Sequence, residues 1–186
     1  MTNYKRIIGR SDYFSFTVVT HDRQRFLTDD NSRASLRFAI EQTREQYPFE
    51  VIAFCLLPQH LHCVLKLPHH DKNYSLRWSL IKKRFTRKYL MSGGNELPQS
   101  VSRTTHRHRA IWQKRFWEHQ IRDKDDLSNH INYVHFNPVK HKLVKELADW
   151  PWSTYHDYAK SGYYGDVDLK RMQENIGNIL VKEFDD

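Results

Sequence analysis

The chain has 186 residues, with 30 Lys and Arg against 22 Asp and Glu, and a formal charge of +8. It is 39% apolar and 13% aromatic, which excludes a disordered chain, because so aromatic a sequence can bury the surface it needs. The longest apolar run, Val51 to Leu57, falls far short of the about 20 residues of a membrane span, and two cysteines cannot build a disulfide scaffold.

Met1 to Arg10 carries charge but no apolar stretch of the kind that opens a secretory signal. Cys55 and Cys63 lie in apolar surroundings and read as reduced core thiols. Both features lead us to expect a cytoplasmic protein. The positive charge, with five Trp and ten Tyr, points to a polyanionic partner.

Tyr13 to Thr20 is β-branched and aromatic and predicts a strand. Asp29, Asp30 and Ser32 offer caps for a helix running to about Tyr47, stopped by Pro48. Val51 to Leu57 is a continuous apolar run and predicts a central strand buried on both faces. Pro58-Gln59 makes a turn, and His60 to Leu67 predicts an antiparallel partner strand. Tyr74 to Met91 predicts an amphipathic helix, with Trp78, Ile81, Phe85 and Tyr89 inward and Arg77, Lys82, Lys83, Arg84, Arg87 and Lys88 outward.

Ser100 to Arg109 reads as a basic loop, and Ile111 to Ile121 holds another strand. Lys124 to Asn137 predicts a helix with Leu127, Ile131 and Val134 inward, ended by Pro138. Trp150 to Tyr155 is aromatic, and Asp168 to Phe184 has helical periodicity. The order predicts an α+β split βαβ sandwich, ferredoxin-like, with an antiparallel sheet and helices on one face. We expect residues 1–144 to form its main body and residues 145–186 a C-terminal helical appendage.

His60-Leu61-His62 is the sharpest local feature. Residues two apart on a strand share a face, so both imidazoles project together. Two explanations stand on that tripeptide alone: a shared divalent ion, or an ordinary polar pair at a strand start. Tyr133 and Asn137 are four apart on one helix and share its face. They sit roughly 80–120° round from Leu127, beside the buried stripe, and His130 falls on the same flank. A zinc site drawing on Cys55, opposite His62 across the turn, is a further possibility.

Leu57-Pro58-Gln59-His60-Leu61-His62, the stretch Ile131 to Lys140 with Tyr-x-x-x-Asn-Pro-Val-Lys, and Trp150 to Tyr155 together resemble the single-tyrosine transposases of the HUH superfamily. More narrowly, they resemble the REP-associated tyrosine transposases. The resemblance implies that His60, His62 and Asn137 hold Mg²⁺ or Mn²⁺ and that Tyr133 is the nucleophile of a strand transferase passing through a 5′-phosphotyrosine. It implies a substrate of single-stranded DNA folded into a repeat hairpin, a nucleoid-associated location in the cytoplasm, and a monomer or homodimer. His130 is the candidate acceptor of the tyrosine proton. Charge and aromatic content make Lys82, Lys83, Arg84, Arg87, Lys88, Arg103, Arg107, Arg109 and Trp152 the candidate DNA contacts. The alternative is a protein that keeps the fold and binds nucleic-acid hairpins without cutting them.

Overall fold

The structure, a computed structural model, describes residues 11–98 and 109–164. Arg103, Arg107 and the helix expected over Asp168 to Phe184 lie outside the described residues. The elements are β1 (Tyr13–Val19), α1 (Asp30–Gln46), β2 (Glu50–Leu56), β3 (His60–Lys66), α2 (Tyr74–Met91), β4 (Trp117–Gln120), α3 (Lys124–Lys140) and α4 (Tyr155–Lys160). The sheet order is β2-β3-β1-β4, and every neighbouring pair is antiparallel. This is the expected split βαβ arrangement, with β3 inserted between the two strands that α1 connects.

Strand alternation sorts the side chains onto two faces. Leu61, Cys63 and Leu65 of β3 join Phe14, Phe16 and Val18 of β1 in a core with Leu36 and Ala39 of α1 and Trp78, Ile81 and Phe85 of α2. Both helices therefore cover that face, as the inward residues of their sequences predict. The other face carries Ala53, Cys55 and Val64, which pack against Ile131 and Val134 of α3. Helices thus lie on both sides of the sheet, not on one, and α3 closes over the face that bears His60 and His62.

Two further expectations need correction. The run Val51 to Leu57 is not a central strand. It belongs to β2, at the sheet edge, and its burial comes from a later part of the chain. Leu56 N donates to Trp152 O at 2.9 Å, Thr154 N to Phe54 O at 2.9 Å, and Trp150 Nε1 to Leu56 O at 3.0 Å. Residues 150–154 thereby occupy an edge that would otherwise offer unpaired backbone groups. The strand expected within Ile111 to Ile121 is present as Trp117–Gln120, with a single bridge between Trp112 and Thr20 before it.

Most consequentially, α3 does not stop before Pro138 but continues to Lys140. A proline inside a helix removes one hydrogen bond and crowds the preceding turn, at a cost of about 3 kcal/mol. Here the chain beyond it stays helical because His141 N donates to Asn137 O and Leu143 N to Pro138 O, both at 2.9 Å. Pro138 itself is buried.

Candidate active site

The β-sheet register builds the floor of the site. Cys55, His62, Thr17 and Trp117 are paired in one row across all four strands, and His60 is paired with Val19 two rows on. Facing residues in such a row share a side of the sheet. His60 and His62 are each only 3% exposed, and their rings lie 4.8 Å apart, edge to face. His62 Nδ1 meets Thr17 Oγ1 at 2.9 Å. With the proton on Nδ1 in that bond, Nε2 presents its lone pair to the site. Burial pushes the His60 pKa down to about 3 and that of His62 well below its ordinary value, with the cationic neighbourhood adding to the effect. Both imidazoles are neutral at pH 7, the form that ligates a metal.

Helix α3 supplies the roof. Tyr133 is 1% exposed and Asn137 wholly buried, so neither lies on a rim beside the buried stripe, as its helical angle from Leu127 suggested. Burial here is deeper because α3 packs over β2 and β3 and the segment 147–164 packs round Tyr133. The Tyr133 ring stands edge to face with His62 at 5.4 Å. Asn137 Nδ2 donates to Tyr133 O at 2.7 Å, which fixes the amide and leaves Oδ1 as its free acceptor. Three buried atoms of these residues have no hydrogen-bond partner: His60 Nδ1, His62 Nε2 and Asn137 Oδ1. Buried acceptors are rarely left unpaired, at about 1–3 kcal/mol each. Two imidazole nitrogens and an amide oxygen are donors that suit a divalent cation.

The helix beyond Pro138 adds two residues that sequence reasoning missed. Lys140 is two turns after Tyr133 and returns to the same side, where its Nζ donates to Tyr133 Oη at 3.2 Å and lies 5.1 Å from the ring centroid. His141 stacks edge to face with His60 at 4.9 Å, and its ligand atoms lie within 4.8 Å of those of His60 and His62. Their signal was their offset from Tyr133 and Asn137, seven and four residues, hidden by the assumption that the helix ended at Pro138. Thr17 carried no signal, since only the β1–β3 register brings it to His62.

His130 does not reach the tyrosine hydroxyl. Its Nδ1 bonds Asp126 O at 2.8 Å, and its ring stacks on His119 at 4.5 Å. Asp126 also accepts from Arg122 and meets His119 at 2.8 Å. Asp126 is thus the shared partner of that cluster, whose His119, Asp126 and His130 ligand atoms lie within 4.8 Å of one another. Cys55 sits opposite His62 as anticipated, but it lies outside the cluster of metal-competent groups around the histidines. Burial pushes its thiol far up.

The family described as IS200-like transposases matches residues 11–137. A Haemophilus influenzae protein named among the REP-associated tyrosine transposases is 41% identical over 181 residues, covering 91% of this chain and 97% of its own. The Escherichia coli REP-associated tyrosine transposase is 37% identical over 164 residues, covering 88% of each. The chain belongs to the IS200-like family, among its REP-associated tyrosine transposases. A solved REP-associated tyrosine transposase bound to a REP hairpin superposes with a TM-score of 0.69 at 36% identity, covering 87% of each chain.

The transposase places its candidate DNA contacts unevenly. Helix α2 lies on the sheet face away from His60 and His62. Arg77 is buried and bound to Asp71 and the Pro48 carbonyl, at 2.7 and 2.9 Å. Arg84 is held by Thr43 and Gln46, both at 2.7 Å. Lys82 donates to Gln113 O at 2.8 Å, and its partial burial lowers its pKa to about 8. Lys83, Arg87 and Lys88 are exposed. Arg109 pairs with Glu96 at 2.5 Å. Trp152 packs between the two cores with Arg33 over its ring at 5.2 Å, so its visible work is to cover the β2 edge. No helix of the described residues is long and apolar enough to cross a membrane.

One positioning role can be checked directly. Thr17→Val keeps the shape but removes the partner that orients His62. Loss of such an outer contact lowers metal affinity by about 10–100-fold. Calorimetric titration with Mn²⁺ should show that drop with the fold intact by circular dichroism. Unchanged affinity would remove Thr17 from the site.

Proposed function

We propose that this transposase cuts and rejoins single-stranded DNA that carries a repeat hairpin, through a covalent 5′-phosphotyrosine on Tyr133. The observation that supports it best is the pair of buried histidines with unpartnered ring nitrogens beside a buried tyrosine, with a third unpartnered acceptor, Asn137 Oδ1, one helical turn along α3. The hairpin comes from the solved relative, which is bound to one.

His60, His62 and Asn137 would hold the divalent ion, with His141 beside them. When bound, that ion supplies positive charge to the phosphoryl oxygens and orients the phosphate. Tyr133 Oη attacks phosphorus as its O–H proton passes to water, the bond to the 3′ oxygen breaks, and that oxygen takes a proton from water to leave a 3′-hydroxyl. The new ester conserves the phosphodiester energy, so rejoining needs no ATP. Lys140 Nζ, at the Tyr133 oxygen, stabilises negative charge there both when the oxygen attacks and when it leaves. Exposed Lys83, Arg87 and Lys88 contribute long-range attraction for the DNA backbone.

The test mixes the protein with labelled single-stranded DNA bearing a hairpin from the repeats around its own gene. A slower, labelled protein band should appear on a denaturing gel with Mg²⁺ or Mn²⁺ and vanish with EDTA. Hairpin binding without that band in either metal would overturn the strand-transfer mechanism and leave a binding protein.

A further inference from the structure

A groove of about 390 Å³ runs between α2 and residues 109–116. It lies on the face of the sheet opposite His60 and His62, and it is separate from the catalytic residues. Three cationic side chains line it: Lys82 from α2, and Arg109 and Lys114 from the opposite wall. Hydroxyls of Ser79 and Thr86 join Lys82 at helical spacing along one face of α2. Among the described residues, no Asp or Glu lines it, although Glu96 pairs with Arg109 from outside.

Its floor is aromatic. Trp78 and Trp112 are 2% and 7% exposed, and both indole N–H groups are buried without a hydrogen-bond partner. Phe116, half-buried, holds Lys82 Nζ at 5.3 Å from its centroid. The walls are thus rich in donors and cations and poor in acceptors, over an apolar base. That chemistry selects an anion carrying an apolar portion, and the volume suits about one nucleotide unit. Lys, Arg, Ser and Thr are the side chains that bind phosphodiesters without regard to sequence.

We infer that this groove binds a phosphodiester of the DNA substrate on the far side of the sheet, as a second contact remote from the chemistry. It rests on the proposal that the substrate is DNA, and it adds a place where the strand is held. The groove ends at Phe116, and Trp117 on the next residue faces the catalytic side. A strand leaving the catalytic face therefore reaches the groove by crossing the short β4 edge. Lys82, which burial otherwise disfavours as a cation, gains a counter-charge when a phosphate enters.

The test is hairpin-DNA affinity by fluorescence anisotropy in EDTA, across a salt series, for the full chain and single variants. Lys114→Glu and Lys82→Gln should each weaken binding about tenfold and flatten the salt slope by about one. Both should keep the covalent band with Mn²⁺ at saturating DNA. Arg37→Glu, on exposed α1, is the control for net charge and should change affinity little. Unchanged affinity and slope in both groove variants overturn the inference, as does an equal loss in Arg37→Glu. Inorganic phosphate that quenches tryptophan fluorescence without competing with DNA also overturns it and marks a free-anion site. If the wild type forms no covalent band while Lys114→Glu still weakens binding, the groove stands and the chemistry falls.

Discussion

On the proposed mechanism, Tyr133→Phe should abolish covalent capture of DNA, with a loss of at least about 10³-fold, equivalent to more than about 4 kcal/mol in the barrier. The substitution removes the oxygen proposed to attack and keeps the ring. The ring is buried against His62 and the α3 core, and phenylalanine fills that space. One partner lost is Lys140 Nζ, a bond of about 0.5–1.5 kcal/mol, and the protein should stay folded. Hairpin affinity and Mn²⁺ binding are retained, which separates chemistry from recognition. The measurement is the labelled band on a denaturing gel, beside a thermal melt. A band that survives in Tyr133→Phe would assign the nucleophile elsewhere. Two nearby tyrosines are poor substitutes: Tyr158 donates to Ile52 O at 2.8 Å, and Tyr164 is tied to His135 at 2.5 Å.

His62→Ala should weaken metal binding by more than the about 10–100-fold expected from loss of an outer-sphere contact. His62 is the imidazole with the most fixed orientation, held by Thr17 and with Nε2 left open. Wild-type protein in Mn²⁺ at about 100 times Kd gains about 2.7 kcal/mol of stability by mass action, read as a rise in melting temperature that EDTA reverses. His62→Ala and His60→Ala should melt at the same temperature with and without the ion. The same rise in both variants would place the ion elsewhere. Asn137→Ala and His141→Ala divide the third position. Loss in the first and retention in the second assigns the ligand to the amide, and the reverse assigns it to the imidazole at the end of α3.

The sequence by itself determined what local periodicity can carry. Alternation in His60 to Lys66 placed two imidazoles on one face. A 3.6-residue period put Tyr133 and Asn137 on one side of a helix. The short Pro58-Gln59 link made the strands antiparallel, and the order of elements gave the split βαβ sheet. These features depend on neighbours within a few residues, so they survive without the fold.

What the tertiary structure decided depends on partners distant in the chain. Strand register chose Thr17 to meet His62. Residues 150–154 buried an edge strand, so apolar composition alone made β2 look central. Packing over the sheet carried α3 through Pro138, since a buried proline with helical hydrogen bonds on its far side can offset the about 3 kcal/mol that local chemistry charges it. That continuation brought Lys140 to the Tyr133 oxygen and His141 to His60. Helix propensity is a weak local preference that burial readily overrides, and for this reason half of the residues around the tyrosine became visible only once the helix had been laid on the sheet.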